Sequence, residues 1–303
     1  MSMSARTASS TPSLTRFTGM AETVSQSVIR AYSTSFGLAT RLLGRRHRTH
    51  VRNIYALVRV ADEIVDGVAS EAGLSGADQR AVLDAYVVET HRAMQTGYSS
   101  DLVIHAFAAT ARAAGIDETL TRPFFDSMRT DLLNAGTENT VFDPRAHAAY
   151  VHGSAEVVGL MCLRVFLRGQ EVTESTRTRL EHGARQLGAA FQNVNFLRDL
   201  ADDTERLGRS YLGNDRRLSD AEVLAWVARI RGQLADAKAV IPLLPRDARA
   251  AVRSAHALFG NLTDRIARTP AEQLYEKRIR VPDAIKTVLV ARAIFMTVKE
   301  RDR

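Results

Sequence analysis

From about Met20 onward, apolar residues recur at three- and four-residue spacings, the period that gives a helix one buried stripe. Taken between the Gly and Pro breaks, the pattern predicts helices over 20–43, 47–67, 77–96, 100–114, 117–134, 145–168, 174–205, 220–240, 246–268 and 282–300. Gly44, Gly67, Gly97, Gly115, Gly136, Gly169 and Pro270 supply breaks, as do the Gly-bearing segments 73–76 and 208–213. Pro242 and Pro245 separate the last helices but one. No segment alternates at period two between turn signals, no Gly-rich linker divides the chain, and no solenoid-length repeat recurs. The expectation is a single all-α domain over 19–303 behind a disordered, Ser/Thr-rich leader, 1–18.

Two of these helices carry a polar stripe beside their apolar one. On 47–67 it consists of Tyr55, Arg59, Asp62 and Asp66, while Ile54, Leu57, Val58, Ala61 and Val65 suit a core. On 174–205 it consists of Gln192, Asn195, Asp199 and the Asp202/Asp203 pair, with Phe191, Val194 and Leu197 elsewhere. Carboxylates one helical turn apart repel by a few tenths of a kcal/mol, roughly 0.2–0.5. A single such pair is ordinary in an acidic helix segment. Two, each extended by further polar residues on helices this apolar, make sense if a hard cation sits between them. Mg²⁺ takes carboxylate oxygens and bridges to substrate phosphates, and Mn²⁺ is the alternative. Amide groups of Gln192 and Asn195 can orient metal-bound water or donate to phosphate. Arg59 and Arg198 sit within a turn of a carboxylate, where a guanidinium grips a diphosphate through paired hydrogen bonds. Glu63 and Asp202 belong to the solvated background or support the site from behind.

Composition narrows the partners. The 303-residue chain is 45% hydrophobic and 25% charged, an ordinary globular balance. Its one cysteine, Cys162, excludes an intrachain disulfide and fits a reducing cytoplasm; it follows Leu160-Met161 and reads as core. A net charge of +7 admits nucleic acid, an anionic membrane or a phosphorylated small substrate. Arginines are spread among acids, with only Arg45-Arg46-His47-Arg48 as a dense run, which argues against nucleic acid. No run of about 18 apolar residues predicts a transmembrane helix, so membrane contact is expected to be peripheral. None of the eight histidines has metal-ligand spacing, and they read as surface or satisfied interior residues. No GxGxxG loop is present, and no nicotinamide cofactor or obligate protein partner is expected. Trp226 sits in a helix-packing pattern, and Asp131 in Met128-Arg129-Thr130-Asp131-Leu132 has no role that chemistry alone assigns.

Ser33-Thr34-Ser35-Phe36, then Leu42-Leu43, then the run from Ile54 to Asp66 (IYALVRVADEIVD), resemble the start of the phytoene/squalene synthase family. The run from Gln192 to Asp203 (QNVNFLRDLADD) looks like that family's second aspartate motif, and Gly208-Arg209-Ser210-Tyr211-Leu212 like the segment that follows it. Arg278-Ile279-Arg280-Val281 is similar to its C-terminal basic element. The resemblance spans about 22–298, in order, and is greatest to bacterial carotenoid-pathway members.

This resemblance implies an all-helical isoprenoid-synthase bundle around a central cavity. It also implies head-to-head condensation of two allylic prenyl diphosphates: geranylgeranyl diphosphate to phytoene, or, as the alternative, farnesyl diphosphate to dehydrosqualene or squalene. Asp62, Asp66, Asp199 and Asp203 would then hold Mg²⁺, and Arg59, Arg198 and Arg278 would bind diphosphate. Ser35, Tyr55, Gln192, Asn195 and Tyr211 would line or support the site. A non-catalytic assembly factor of the same fold is expected to lose the metal carboxylates, and all four are kept here. Two positions depart from the family pattern. Phe259 stands where a tyrosine is usual, and Ala155-Glu156-Val157-Val158-Gly159 replaces an Ala-Gly-Thr/Ser-Val-Gly element. Glu156 faces either outward or the metal region.

Overall fold

The computed structural model describes residues 12–134, 140–201, 209–210, 212 and 217–300. In the N-terminal half lie α1 (Pro12–Tyr32), α2 (Thr34–Arg41), α3 (Arg45–Asp66), α4 (Val68–Glu71), α5 (Gly76–Thr96), α6 (Leu102–Ala114) and α7 (Glu118–Asn134). Then come α8 (Pro144–Val151), a π-helical turn (His152–Glu156), α9 (Val157–Leu167) and α10 (Glu174–Arg198). Helices α11 (Asp220–Val240), α12 (Arg246–Ile266), α13 (Ala271–Leu274) and α14 (Asp283–Lys299) follow. Extended pairing among the described residues is confined to β1 (Thr140–Val141) and β2 (Arg209–Ser210), parallel, with Thr140 opposite Arg209. The architecture is all-α, as the periodicity implies.

Local chemistry sets the helix starts. Ser75 and Asp78 form a reciprocal capping box on α5, and Ser219 and Glu222 form another on α11. Asp143 accepts from the first free N–H groups of α8, just ahead of Pro144. Ser33 breaks the helix expected over 20–43. Its backbone is extended (φ −145°, ψ 111°), and its hydroxyl accepts from the Phe36 N–H at 3.1 Å, so α2 starts afresh. Helix α1 begins at Pro12, ahead of the boundary expected at residue 19, because Phe17 packs edge-on against His105 with ring centroids 4.8 Å apart. The helix expected over 145–168 contains the π-turn. That expected over 174–205 ends at Arg198, where Asp199 leaves helical backbone (φ −104°, ψ 13°); residues 202–205 of that expectation lie outside the described residues.

Two apolar clusters hold the bundle. One gathers α3, α5, α6, α7 and α9 around the fully buried Phe107, Phe124 and Phe125. The other gathers α10, α11 and α12 around Val194, Ile230 and Ile266. Each such side chain contributes roughly 1.5–3 kcal/mol by leaving water. The run Pro144–Leu167 is long and apolar enough to cross a membrane, but most of it is buried inside this bundle.

Close helix approach shapes the space between the clusters. A Cβ on Gly188 of α10 would lie 2.5 Å from the Ala155 carbonyl oxygen, and one on Gly153 would lie 2.2 Å from that of Pro123. The π-turn is therefore pressed between α7 and α10 at two positions that admit no side chain. π-Turns of this kind recur at functional sites, and this one projects Ser154 and Ala155 into a cavity.

Candidate active site

The cavity has a volume of about 270 Å³ and lies between α2, α3, the π-turn, α9, α10, α11 and α12. Its wall is almost wholly apolar: Val51 and Val58 from α3, Cys162 and Phe166 from α9, Leu180, Leu187 and Phe191 from α10. Thr40, Ser154, Gln192 and Asn195 are the polar groups that reach it, and no charged side chain lines it among the described residues. The α10 wall, from Leu180 to Asn195, runs about 22 Å at 1.5 Å per residue. An elongated hydrocarbon suits such a space.

Asp62 of the first motif and Asp199 of the second stand toward one end of it. Phe36 on α2 meets Tyr55 of α3 at 6.3 Å and Phe191 of α10 at 5.9 Å between ring centroids, which puts those two residues at one level. Asp62 lies two turns beyond Tyr55, and Asp199 two turns beyond Phe191, at the C-terminal ends of their helices. Val58 and Asn195 are the last wall residues of α3 and α10, each one turn short of its aspartate.

Around α3 the charges are dense. Burial first, and then the charges of Asp66 and Asp131, push the Asp62 carboxyl up to about 7, against the pull of Arg59. The Arg59 guanidinium lies 3.7 Å from Asp62 and hydrogen-bonds Glu63, one turn on. It also stacks over the Tyr32 ring at 4.5 Å. Glu63 thus orients the arginine. Tyr55 shares a hydrogen bond with the Ser33 side chain, and burial raises its phenol.

Around α10 the order is reversed, with one acid between two bases. Asp199 Oδ1 receives Arg198 Nε at 2.8 Å and Arg278 Nε at 2.8 Å. Asn195 Oδ1 is buried without a hydrogen-bond partner, as is the Ser154 hydroxyl. Orphaned buried oxygens are costly and call for a ligand or ion. Gln192 lines the cavity one turn before. Ser35 falls in the first turn of α2, and its side chain is outside the described residues, as are Asp203 and Tyr211.

The structure adds residues that sequence patterning misses. Asp131 of α7 is buried, accepts from the Tyr150 hydroxyl at 2.8 Å, and lies near enough to raise Asp62. Glu156 pairs with His152 at 3.0 Å, on the side of the π-turn where His152 lines a separate outer pocket with Arg164 and Arg185. Phe259 stacks face to face on Phe191, with centroids 3.7 Å apart, so an aromatic contact fills the place of the usual tyrosine. Most histidines have partners, among them His47 with Asp247 and His50 with Thr110. His147 differs: both ring nitrogens are buried without a hydrogen bond, and the ring stacks on Trp226 at 4.8 Å. Burial lowers its pKa to about 4, which keeps the ring neutral.

The donors near this end of the cavity are of the oxygen type that a divalent cation takes. Asp62 beside Asp66 and Asp131 concentrates negative charge that a proton or a metal must offset, and Asn195 offers an unpartnered oxygen. Among the described residues no three acidic, His or Cys groups already converge on one point; Asp203 lies outside them.

The squalene/phytoene synthase family model matches residues 29–284, and the chain belongs to that family. Phytoene synthase 3 of Zea mays is 30% identical over 88% of this chain, which matches 63% of the maize protein's length, less than two thirds of it. The phytoene synthase of Mycobacterium bovis is 28% identical over 91% of both chains. A dehydrosqualene synthase in complex with ligand superposes with TM-score 0.74 at 20% identity, covering 95% of this chain and 100% of that one. The squalene synthase HpnC from Alicyclobacillus acidocaldarius gives 0.69 at 18%, covering 86% and 97%. The fold is the all-helical isoprenoid-synthase fold, and the family's members are transferases acting on prenyl diphosphates.

Proposed function

We propose that this protein condenses two geranylgeranyl diphosphates head to head, giving phytoene through a cyclopropyl diphosphate intermediate. One observation carries the reading: Asp62 and Asp199 each stand one turn past the last wall residue of their helix, at the same end of one apolar cavity. A diphosphate head at that end leaves its hydrocarbon tail along α10. The choice of the twenty-carbon substrate is supported by curated relatives named phytoene synthase at 28–30% identity.

Asp62, Asp66, Asp199 and Asp203 would hold Mg²⁺ or Mn²⁺, which supplies positive charge to the departing pyrophosphate. Arg59, Arg198 and Arg278 grip the diphosphate oxygens and stabilise the same charge. As the first C–O bond breaks, pyrophosphate leaves with the bonding pair and an allylic cation remains. The second substrate's double bond attacks it, and proton loss closes a cyclopropane that keeps the second diphosphate. That diphosphate leaves in turn, the skeleton rearranges, and a second proton loss yields the hydrocarbon. The chain's own role is to bind, align and keep dry. Phe36, Val58 and Phe191 present no nucleophile to the cation, which water would capture as an alcohol. Gln192 and Asn195 set the polar boundary at the aspartate end of the cavity, with Tyr55, Ser35 and Tyr211 as further members from the family pattern.

A cytoplasmic setting with peripheral membrane contact belongs to this reading. It is supported by the +7 net charge and the lone cysteine. The test is substitution: Asp62→Asn and Asp199→Asn should each abolish hydrocarbon formation while far-UV circular dichroism keeps the helical signal. Full activity of both variants at saturating Mg²⁺ refutes the reading.

A further inference from the structure

Helix α14 carries apolar residues on the side that faces away from the protein. Ala293 and Thr297 are its buried positions. On the opposite side, Val288, Ala291, Phe295 and Val298 follow at offsets 0, 3, 7 and 10, the spacing of one helical stripe. Val288, Phe295 and Val298 are 63%, 66% and 67% exposed. Of the fourteen exposed large hydrophobic residues in the described chain, five lie on this one helix, Ile294 and Met296 being the others. So dense a patch on a globular protein marks an interaction surface.

Charge selects the occupant. Arg292 and Lys299, one heptad apart and both exposed, run along one edge of the stripe. No ion pair engages either among the described residues, whereas the acids nearby are taken: Asp283 by Lys286 at 2.9 Å, and Glu300 by Arg249 and Arg253. A second copy of the chain seated on this face through its own α14 would bring, among the described residues, no free acid for that edge. Residues 1–11 hold no acid and no large apolar residue beyond Met1 and Met3, so they do not match it either. An anionic bilayer supplies both requirements, hydrocarbon for the stripe and phosphate for the edge.

The inner side of α14 leads to the cavity. Leu289 and Val290 close a narrow crevice against Phe36 and Ala39 of α2 and Ala255 of α12, and these last three also line the main cavity. We propose that α14 seats this protein on an anionic lipid bilayer, with Val288, Phe295 and Val298 in the interface and Arg292 and Lys299 against lipid phosphates. The seam between α2 and α14 then lies directly behind the docked helix, on the short path of a lipophilic cargo between bilayer and cavity. Only the cargo rests on the prenyl-diphosphate reading; the docking does not.

Vesicle flotation tests it, using phosphatidylcholine alone or with about 30 mol % phosphatidylglycerol. The full chain is expected to float with the anionic vesicles, less at high salt, and not with the neutral ones. Phe295→Asp with Val298→Asp, and separately Arg292→Gln with Lys299→Gln, are expected to reduce binding about tenfold or more. The pair Val82→Asp with Val88→Asp, exposed on α5, is expected to bind as the parent does, with thermal unfolding of all variants confirming the fold. The proposal is overturned if the parent does not float, if both α14 variants float like it, or if the α5 control loses binding equally. A dimer in sedimentation that Phe295→Asp splits also overturns it, in favour of a second copy. Flotation without hydrocarbon product from any prenyl diphosphate sinks the functional reading and leaves the docking intact.

Discussion

Asp199 Oδ1 and Arg278 Nε lie 2.8 Å apart, although 79 residues separate them in the chain. That contact brings the segment between α13 and α14 to the end of α10, so the aspartate stands between Arg198 and Arg278. Because Arg278 is partly exposed, the pair adds little to stability, less than about 1 kcal/mol. Its value lies in placing a second guanidinium where a diphosphate would arrive. Arg278→Ala should lower kcat/KM by about 10²-fold with little change in Tm. Arg278→Lys should recover only some of the loss, since an ammonium lacks the fork. Steady-state kinetics alongside thermal unfolding decide; a large drop in Tm with unchanged kcat/KM points to a structural role instead.

Gly188 is the test of the pressed helix pair. A side chain there meets the Ala155 carbonyl oxygen, so Gly188→Val should cost roughly 1–3 kcal/mol in urea unfolding. Because Ala155 and Ser154 line the cavity, the same variant should raise KM. Gly232 of α11 is the matched control: a Cβ there meets nothing within 4 Å. Gly232→Ala should therefore stabilise the protein by about 0.5–1 kcal/mol through helix propensity. Equal destabilisation by both would contradict the packing account.

Cys162 lines the cavity, and burial pushes its thiol up to about 12. At pH 8 almost no thiolate is present, and thiolate is the species that reacts. Iodoacetamide should label the native protein far more slowly than the urea-unfolded chain, as read by mass spectrometry. Rapid native labelling at pH 8 would show that the cavity wall is open to water.

Asp247 links the starts of α3 and α12. It accepts from Arg46 Nε at 2.7 Å and contacts His47 at 3.1 Å, and the Arg46 hydrogen bond holds its carboxyl below the ordinary carboxylate value. A carboxyl depressed in the folded state stabilises the fold above its unfolded pKa, near 3.9, and loses that contribution as pH falls through the folded value. The parent should therefore lose stability on acidification below about pH 4.5, and Asp247→Asn should show a shallower loss across that window. Identical acid limbs for the two proteins, in denaturant titrations from pH 5 to about pH 2.5, would remove Asp247 from the account.

Much of this arrangement is legible in the chain because it is local. Tyr55, Arg59, Asp62 and Asp66 share a helix, and period alone puts them on one stripe; Gln192, Asn195 and Asp199 do the same on α10. What period does not reveal is which residue from elsewhere joins them. Asp131 reaches Asp62 only through the packing of α7 on α3, and its anchor Tyr150 lies on a third helix. The π-turn at His152–Glu156 is hidden for another reason: widening one turn leaves the apolar pattern helical on both sides. A serine ahead of Thr34-Ser35-Phe36 is a cap signal, yet the continuous apolar period across Ser33 favours one long helix. Glu156 turns outward to His152, a direction that no spacing encodes.

The most direct measurement is product analysis. Purified protein is incubated with Mg²⁺ and geranylgeranyl diphosphate, and in parallel with farnesyl diphosphate, without NADPH, and the hydrocarbons are identified by mass. Phytoene is expected from the longer substrate, with two pyrophosphates released per molecule formed. Absence of any condensed hydrocarbon from either substrate, with the helical fold intact, would contradict that expectation and the function proposed with it.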